Sequence, residues 1–263
     1  MVVAISTGCC HDLKLGRLES IHFLEKYPVD GLELLFAYPE ELISFDLDKR
    51  ALSHLKKLKF VSIHMPFENI VYSNNPETRQ LLEKATVLAK QINSQHLVFH
   101  PQTISDFNSL KNNPIQVCIE NMNKKEASYK TVDEIKETLD KYPFLGFVLD
   151  VSHALGNNLL PSDFLIFEGK IKGFHISGQW IKKGNLKEHG FLTEGTKEQL
   201  EKILPILKLK KPKIIEADFY PNKVDLIEKE IQLIRESEET SGNLGNSSPW
   251  ANGGLKVNQK STN

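Results

Sequence analysis

Six short apolar runs in this chain end on an imidazole or a carboxylate. Ile63-His64-Met65-Pro66 and Val98-Phe99-His100-Pro101 each deliver a histidine, and Cys118-Ile119-Glu120-Asn121 and Ile214-Ile215-Glu216 each deliver a glutamate. Val148-Leu149-Asp150 ends on an aspartate with His153 shortly after it, and Gly173-Phe174-His175 brings another histidine. Carboxylates buried together repel one another unless cations sit between them. A divalent metal ion removes that cost, and mixed oxygen and nitrogen ligands suit Zn or Mn, and also Fe or Co. One histidine at a strand end is ordinarily a polar residue satisfied by a neighbour, and one glutamate the first solvated residue of a loop. Six such residues at the ends of six runs point to a shared metal site.

The elements that must position them alternate regularly. Strands are expected at Val2–Thr7, Gly31–Leu35, Phe60–His64, His96–His100, Gln116–Glu120, Leu145–Asp150, Ile171–Ile176 and Lys213–Glu216. Most are continuous apolar runs, as strands buried on both faces should be. Helical stretches separate them. Asn75-Pro76 reads as an N-cap with proline at the first helical position, opening Glu77–Ile92. Thr131 with Glu134, and Thr196 with Gln199, have capping-box spacing and open helices to about Lys141 and Leu207. Further helices are expected over Asp48–Leu58 and Lys223–Arg235. The fold class is therefore α/β, a (β/α)8 TIM barrel, in which all strand C-termini meet on one face.

A length of 263 residues suits a single barrel, expected over residues 1–235. Residues 236–263 turn rich in Gly, Ser and Asn without hydrophobic period and are expected to be a disordered tail. The formal net charge of −1 gives no global field for nucleic acid or an anionic membrane. Cys9, Cys10 and Cys118 form neither a disulfide framework nor a C-x-x-C pair. The run Met1-Val2-Val3-Ala4-Ile5 lacks the features of a signal peptide, and no apolar stretch approaches a membrane span, so a cytoplasmic enzyme with no membrane partner is expected.

In order and spacing, H-x-P, F-H-P, I-E-N, L-D-x-x-H, F-H and I-E resemble the xylose isomerase-like barrel superfamily, from about Val2 to Arg235. That superfamily includes sugar isomerases and epimerases and the endonuclease IV class of abasic-site nucleases. The resemblance implies a four-ligand metal site of Glu120, Asp150, His175 and Glu216. It implies that His64 and His100, with Glu120, match the ligands of another zinc in the nucleases. His153 matches a substrate-binding histidine in the epimerases and a ligand of the third zinc in the nucleases. His189, in Glu188-His189-Gly190, matches the histidine of the nuclease D-x-H pair. Lys187 stands where that pair has its aspartate, and a protonated lysine cannot ligate zinc; Glu188 would have to turn inward to replace it.

Two enzymatic readings follow, with a non-catalytic metal- or sugar-binding barrel as the third. In the first, a metal-dependent isomerase or epimerase acts on a small sugar or related polyhydroxy carbonyl compound. Glu120 and Glu216 are its proton donor and acceptor, and His153 hydrogen-bonds the oxygen that gains charge. In the second, a zinc cluster hydrolyses a phosphodiester at abasic DNA, for which His64, His100, His153 and His189 speak and Lys187 speaks against. The segment Gln179–Lys187 reads first as a solvated loop; as a binding element, Trp180 offers an apolar wall for a sugar face and Lys187 a cation for a substrate phosphate. Cys9, Cys10 and His11 are expected near the barrel mouth as ordinary loop residues, and Cys118 as a small buried strand residue. Glu33 is expected near the mouth of the second strand, contacting substrate or paired with a lysine. A homo-oligomer is compatible with the sequence, since barrels commonly pair.

Overall fold

The computed structural model describes residues 1–182 and 185–239, with backbone alone for 180–182, 185–187, 238 and 239. The strands in chain order are β1 (Val3–Ser6), β2 (Gly31–Leu35), β3 (Phe60–His64), β4 (His96–Phe99), β5 (Gln116–Glu120), β6 (Gly146–Asp150), β7 (Ile171–Ile176), β8 (Gly178–Lys182), β9 (Asn185–Gly190) and β10 (Lys213–Ile215). Running from β1 through β7 to β10 and back to β1, eight of them close a barrel in which every neighbouring pair is parallel. Closure is direct, with Val3 opposite Lys213 and Ile5 opposite Ile215. The expected (β/α)8 architecture is thus present, with strand ends differing from expectation by a residue at most.

Two small apolar clusters fill the barrel interior: Ala4, Phe60 and Ile214, and Val98, Cys118 and Val148. Both are separate from the large core between the strands and the outer helices. Side chains alternate along a strand, so the residue two positions further on shares the inner face. His100 follows Val98 in this way, Glu120 follows Cys118, Asp150 follows Val148 and Glu216 follows Ile214. The polar layer at the mouth is the continuation of the apolar layers beneath it.

The helices are α1 (Arg17–Leu24), α2 (Pro39–Ser44), α3 (Lys49–Leu55), α4 (Pro76–Ile92), α5 (Val132–Lys141), α6 (Val151–Gly156), α7 (Lys197–Leu207) and α8 (Leu226–Glu239). Asn75 caps α4, its Oδ1 accepting the Thr78 N–H at 2.7 Å. Thr131 and Glu134 form the reciprocal capping box on α5. At α7 only half of that motif forms: Thr196 accepts the Gln199 N–H at 3.3 Å, while Gln199 turns its Oε1 to the Gln179 N–H at 3.4 Å.

Three helices were not expected. α1 opens on Gly16 rather than a Ser, Thr, Asp or Asn cap, and α2 and α6 are too short to show a period. The last helix begins three residues later than expected and runs to Glu239. The segment after β7 is not a simple loop: β8 and β9 pair antiparallel, with Trp180 opposite Lys187. Its sequence signal is the pair of runs separated by only Lys183-Gly184. Residues 240–263, the greater part of the expected tail, lie outside the described residues, among which no helix is long and apolar enough to cross a membrane.

Candidate metal centre

β3, β4 and β5 bring His64, His100 and Glu120 together, their candidate ligand atoms within 4.8 Å of one another. His100 Nε2 lies 2.9 Å and His64 Nε2 3.8 Å from Glu120 Oε1. The other oxygen of Glu120 faces a second group. His175 Nδ1 is 2.9 Å from Glu120 Oε2 and 3.2 Å from Glu216 Oε2. Asp150 joins this group through Glu216 and His189, again within 4.8 Å. Glu120 therefore spans both groups. Glu33 also comes within that distance of His175 and Glu216, but it meets the imidazole at the opposite nitrogen, Nε2, at 3.3 Å.

Asp150 is held by its neighbours on both sides. The Asn121 side chain accepts the Asp150 N–H at 2.8 Å and donates to the Asp150 carbonyl at 2.9 Å. Asp150 Oδ1 caps α6 by accepting the His153 N–H at 2.7 Å. Oδ2 is left without a well-aligned hydrogen-bond partner, as are Glu120 Oε2 and His175 Nδ1, all of them buried. Buried polar atoms normally have partners. Here three of the four residues expected to ligate one metal ion carry an orphaned buried atom, two of those atoms, Glu120 Oε2 and His175 Nδ1, lie 2.9 Å apart, and a divalent cation fits that donor set.

Electrostatics favour the same conclusion. Burial disfavours charge on His175, yet Glu216, Glu33 and Glu120 outweigh it and lift the imidazole pKa well above its ordinary value. Burial also opposes ionisation of Glu120, and His100, His175 and His64 outweigh it, holding that carboxyl well below the usual range. Both shifts favour positive charge at this spot, whether from a proton or a metal ion. His100 differs, because burial dominates over Glu120 and lowers its pKa toward the neutral, ligating form.

A third group involves Glu188, the neighbour of Lys187. His153, Glu188 and His189 have candidate ligand atoms within 4.8 Å of one another. Adjacent strand residues ordinarily face opposite ways. His189 breaks that alternation with a φ of 61°, a left-handed conformation unfavourable for a non-glycine residue. Room for Glu188 comes from Gly156, where a Cβ would sit 2.5 Å from Glu188 Oε1. That oxygen is itself buried and unpartnered. Glu188 is thus turned inward, toward His153 and His189.

Three of the histidines are oriented alike. His64 Nδ1 lies 3.1 Å from the Met65 carbonyl, His153 Nδ1 2.9 Å from the Asn121 carbonyl and His189 Nδ1 3.2 Å from the Glu216 carbonyl. Donation of Nδ1–H to a carbonyl leaves Nε2 aimed into the site.

A cavity of about 420 Å³ opens over the three groups, lined by His64, His100, Glu120, His153, His189 and Glu216. Arg17, Phe67 and Asp218 also line it and were not singled out from the sequence; Phe67 stacks on His100 with centroids 4.3 Å apart. Among the described residues no lysine pairs with Glu33: it is fully buried, accepting the Ser62 hydroxyl at 2.8 Å beside His175. Cys9 reaches the cavity wall but donates its thiol to the Ile215 carbonyl at 3.1 Å, and burial raises its pKa. Cys10 is pushed up to about 11 by burial, and Cys118 is a buried barrel residue. The Trp180 and Lys187 side chains lie outside the described residues; their backbones pair across the β8–β9 hairpin.

Residues 21–237 match the model of a protein family described as a xylose isomerase-like TIM barrel. No curated protein matches the chain in sequence. Among solved structures, a D-tagatose 3-epimerase-like protein is 18% identical with a TM-score of 0.64, covering 92% of this chain and 98% of its own. The probable 3-DHS dehydratase AsbF of Bacillus anthracis is 14% identical with a TM-score of 0.62, covering 93% and 100%. Endonuclease IV of Thermus thermophilus is 13% identical with a TM-score of 0.63, covering 91% and 99%. At these identities the likeness is one of fold.

Proposed function

We propose that this chain, which belongs to the xylose isomerase-like TIM barrel family, is a metal-dependent isomerase or epimerase acting on a small sugar or related polyhydroxy carbonyl compound. The observation that carries the reading is the pair of glutamates on one imidazole nitrogen. Glu120 and Glu216 approach His175 Nδ1 from different strands at 2.9 and 3.2 Å, and both also line the cavity. Glu120, Asp150, His175 and Glu216 would hold a divalent ion, which supplies Lewis acidity toward a carbonyl and its neighbouring hydroxyl.

In this reading Glu216 removes a proton from the substrate carbon and Glu120 returns one from the other side. Glu216, at 10% side-chain exposure against 2% for Glu120, is the more accessible of the two. His153 assists. Burial disfavours its charge, but Asp150 and Glu120 outweigh it and raise its pKa. With Nδ1–H on the Asn121 carbonyl, the protonated ring has Nε2–H left to donate to an oxygen gaining charge. The cavity is sized for a small molecule, and the D-tagatose 3-epimerase-like structure is compatible with that substrate class.

The inward turn of Glu188 favours a second reading, phosphodiester hydrolysis at abasic DNA by several metal ions, because it supplies a carboxylate to His153 and His189. Two assays on the metal-loaded protein separate them. Incubation with ketoses and phosphosugars in D2O should place solvent deuterium on the carbon beside the carbonyl, and Glu216→Gln should abolish the exchange. Cleavage of an abasic-site oligonucleotide without any such exchange would overturn the isomerase reading.

A further inference from the structure

Glu33 is an anomaly of β2. It stands in the run Gly31-Leu32-Glu33-Leu34-Leu35, is fully buried, and sits on the inner face of the barrel beneath the candidate ligands. A carboxylate in such a place is costly unless polar partners meet it. Two do, both at Oε2: the Ser62 hydroxyl donates to it at 2.8 Å and the His175 ring presents Nε2 to it at 3.4 Å, while Oε1 lies 3.3 Å from the same Nε2 without a well-aligned hydrogen bond.

This contact lies on the far side of the ring from Glu120 and Glu216, which both face Nδ1. An imidazole ligand gives a cation one nitrogen and donates a proton from the other. For His64, His153 and His189 the donating nitrogen is Nδ1, and a backbone carbonyl receives it. For His175 the roles are reversed. Nδ1 faces the ligand carboxylates, and a side chain from β2 stands where the others have a carbonyl.

We propose that Glu33 is the positioning residue of His175: its carboxylate accepts Nε2–H, fixes the tautomer and ring angle, and so leaves the Nδ1 lone pair directed at the metal ion. The role rests on the metal-centre reading given above. Ser62, by donating to the same Oε2 that faces Nε2, keeps the carboxylate from rotating away. Partners of this kind typically contribute 10- to 100-fold to metal affinity.

The test uses apoprotein and Zn2+ in competition with a chromophoric chelator, together with 15N spectra of the histidine rings in the loaded parent protein. Parent protein should bind at least one ion, with His175 showing a protonated Nε2. Glu33→Ala should weaken binding about 10- to 100-fold. Glu33→Gln, which keeps an acceptor oxygen at the same reach, should recover most of that loss. Unchanged affinity in folded Glu33→Ala would overturn the proposal. So would a His175 ring bound to metal through Nε2, since Glu33 would then be a ligand alongside Glu216. The spectra of the parent protein decide this even if Glu33→Ala does not fold. A parent protein that binds no metal would sink the metal-centre reading instead, which keeps the two failures apart.

Discussion

Glu230 on α8 provides a pH test of how the mouth of the barrel is braced. Its carboxyl is fully buried, with Oε1 accepting the Leu192 N–H at 2.7 Å and Oε2 the Thr193 N–H at 3.0 Å, just after the strand that carries Glu188 and His189. Burial outweighs these donors and raises its pKa from 4.5 to about 7. Between those values the folded chain holds a proton that the unfolded chain has released. Stability therefore falls as pH rises through the window and levels off above it. At 1.36 kcal/mol per pKa unit, the shift corresponds to about 3 kcal/mol. Glu230→Gln is nearly isosteric and does not titrate, so it should lack this fall. Urea unfolding at pH 5 and pH 7.5 measures it: the stability of the parent protein relative to the variant should drop by about 2 kcal/mol between the two, part of the full fall lying below pH 5. A constant difference between parent and variant would refute the reasoning.

Two other perturbations address the metal centre. Removing metal with a chelator should lower the melting temperature. An ion present at 100 times its dissociation constant stabilises by about 2.7 kcal/mol, which for a chain of this size is roughly 5–11 °C; identical melting curves with and without chelator would contradict it. Gly156→Ala would put a Cβ 2.5 Å from Glu188 Oε1, so it should displace Glu188 and weaken the third group selectively. Metal titration should then lose one step while deuterium exchange is retained, and an unaltered titration would show that Glu188 has no part in metal binding.

The legible parts of the structure were those governed by alternation. A period of two along buried strands, with parallel closure, carries His100, Glu120, Asp150 and Glu216 to one face without any knowledge of loops. Glu188 could be named from the sequence but its inward turn could not be read there, since alternation sets it opposite His189. Only the left-handed φ at His189 and the space at Gly156 reverse that. Glu33 was expected near the mouth of the second strand, but its partner His175 is 142 residues away and no local pattern links them. Gln199 shows a local rule overridden: the capping-box spacing is present, yet its oxygen goes to Gln179 in the hairpin. α1, α2 and α6 were missed because tertiary packing, rather than a cap or a long amphipathic period, holds such short helices.

The most direct test of the metal centre is the metal content per chain, by elemental analysis of protein purified without added metal or chelator and again after loading. At least one equivalent of a divalent metal is expected, lost in Glu216→Gln because that carboxylate shares His175 Nδ1 with Glu120. Absence of metal under every loading condition would contradict it.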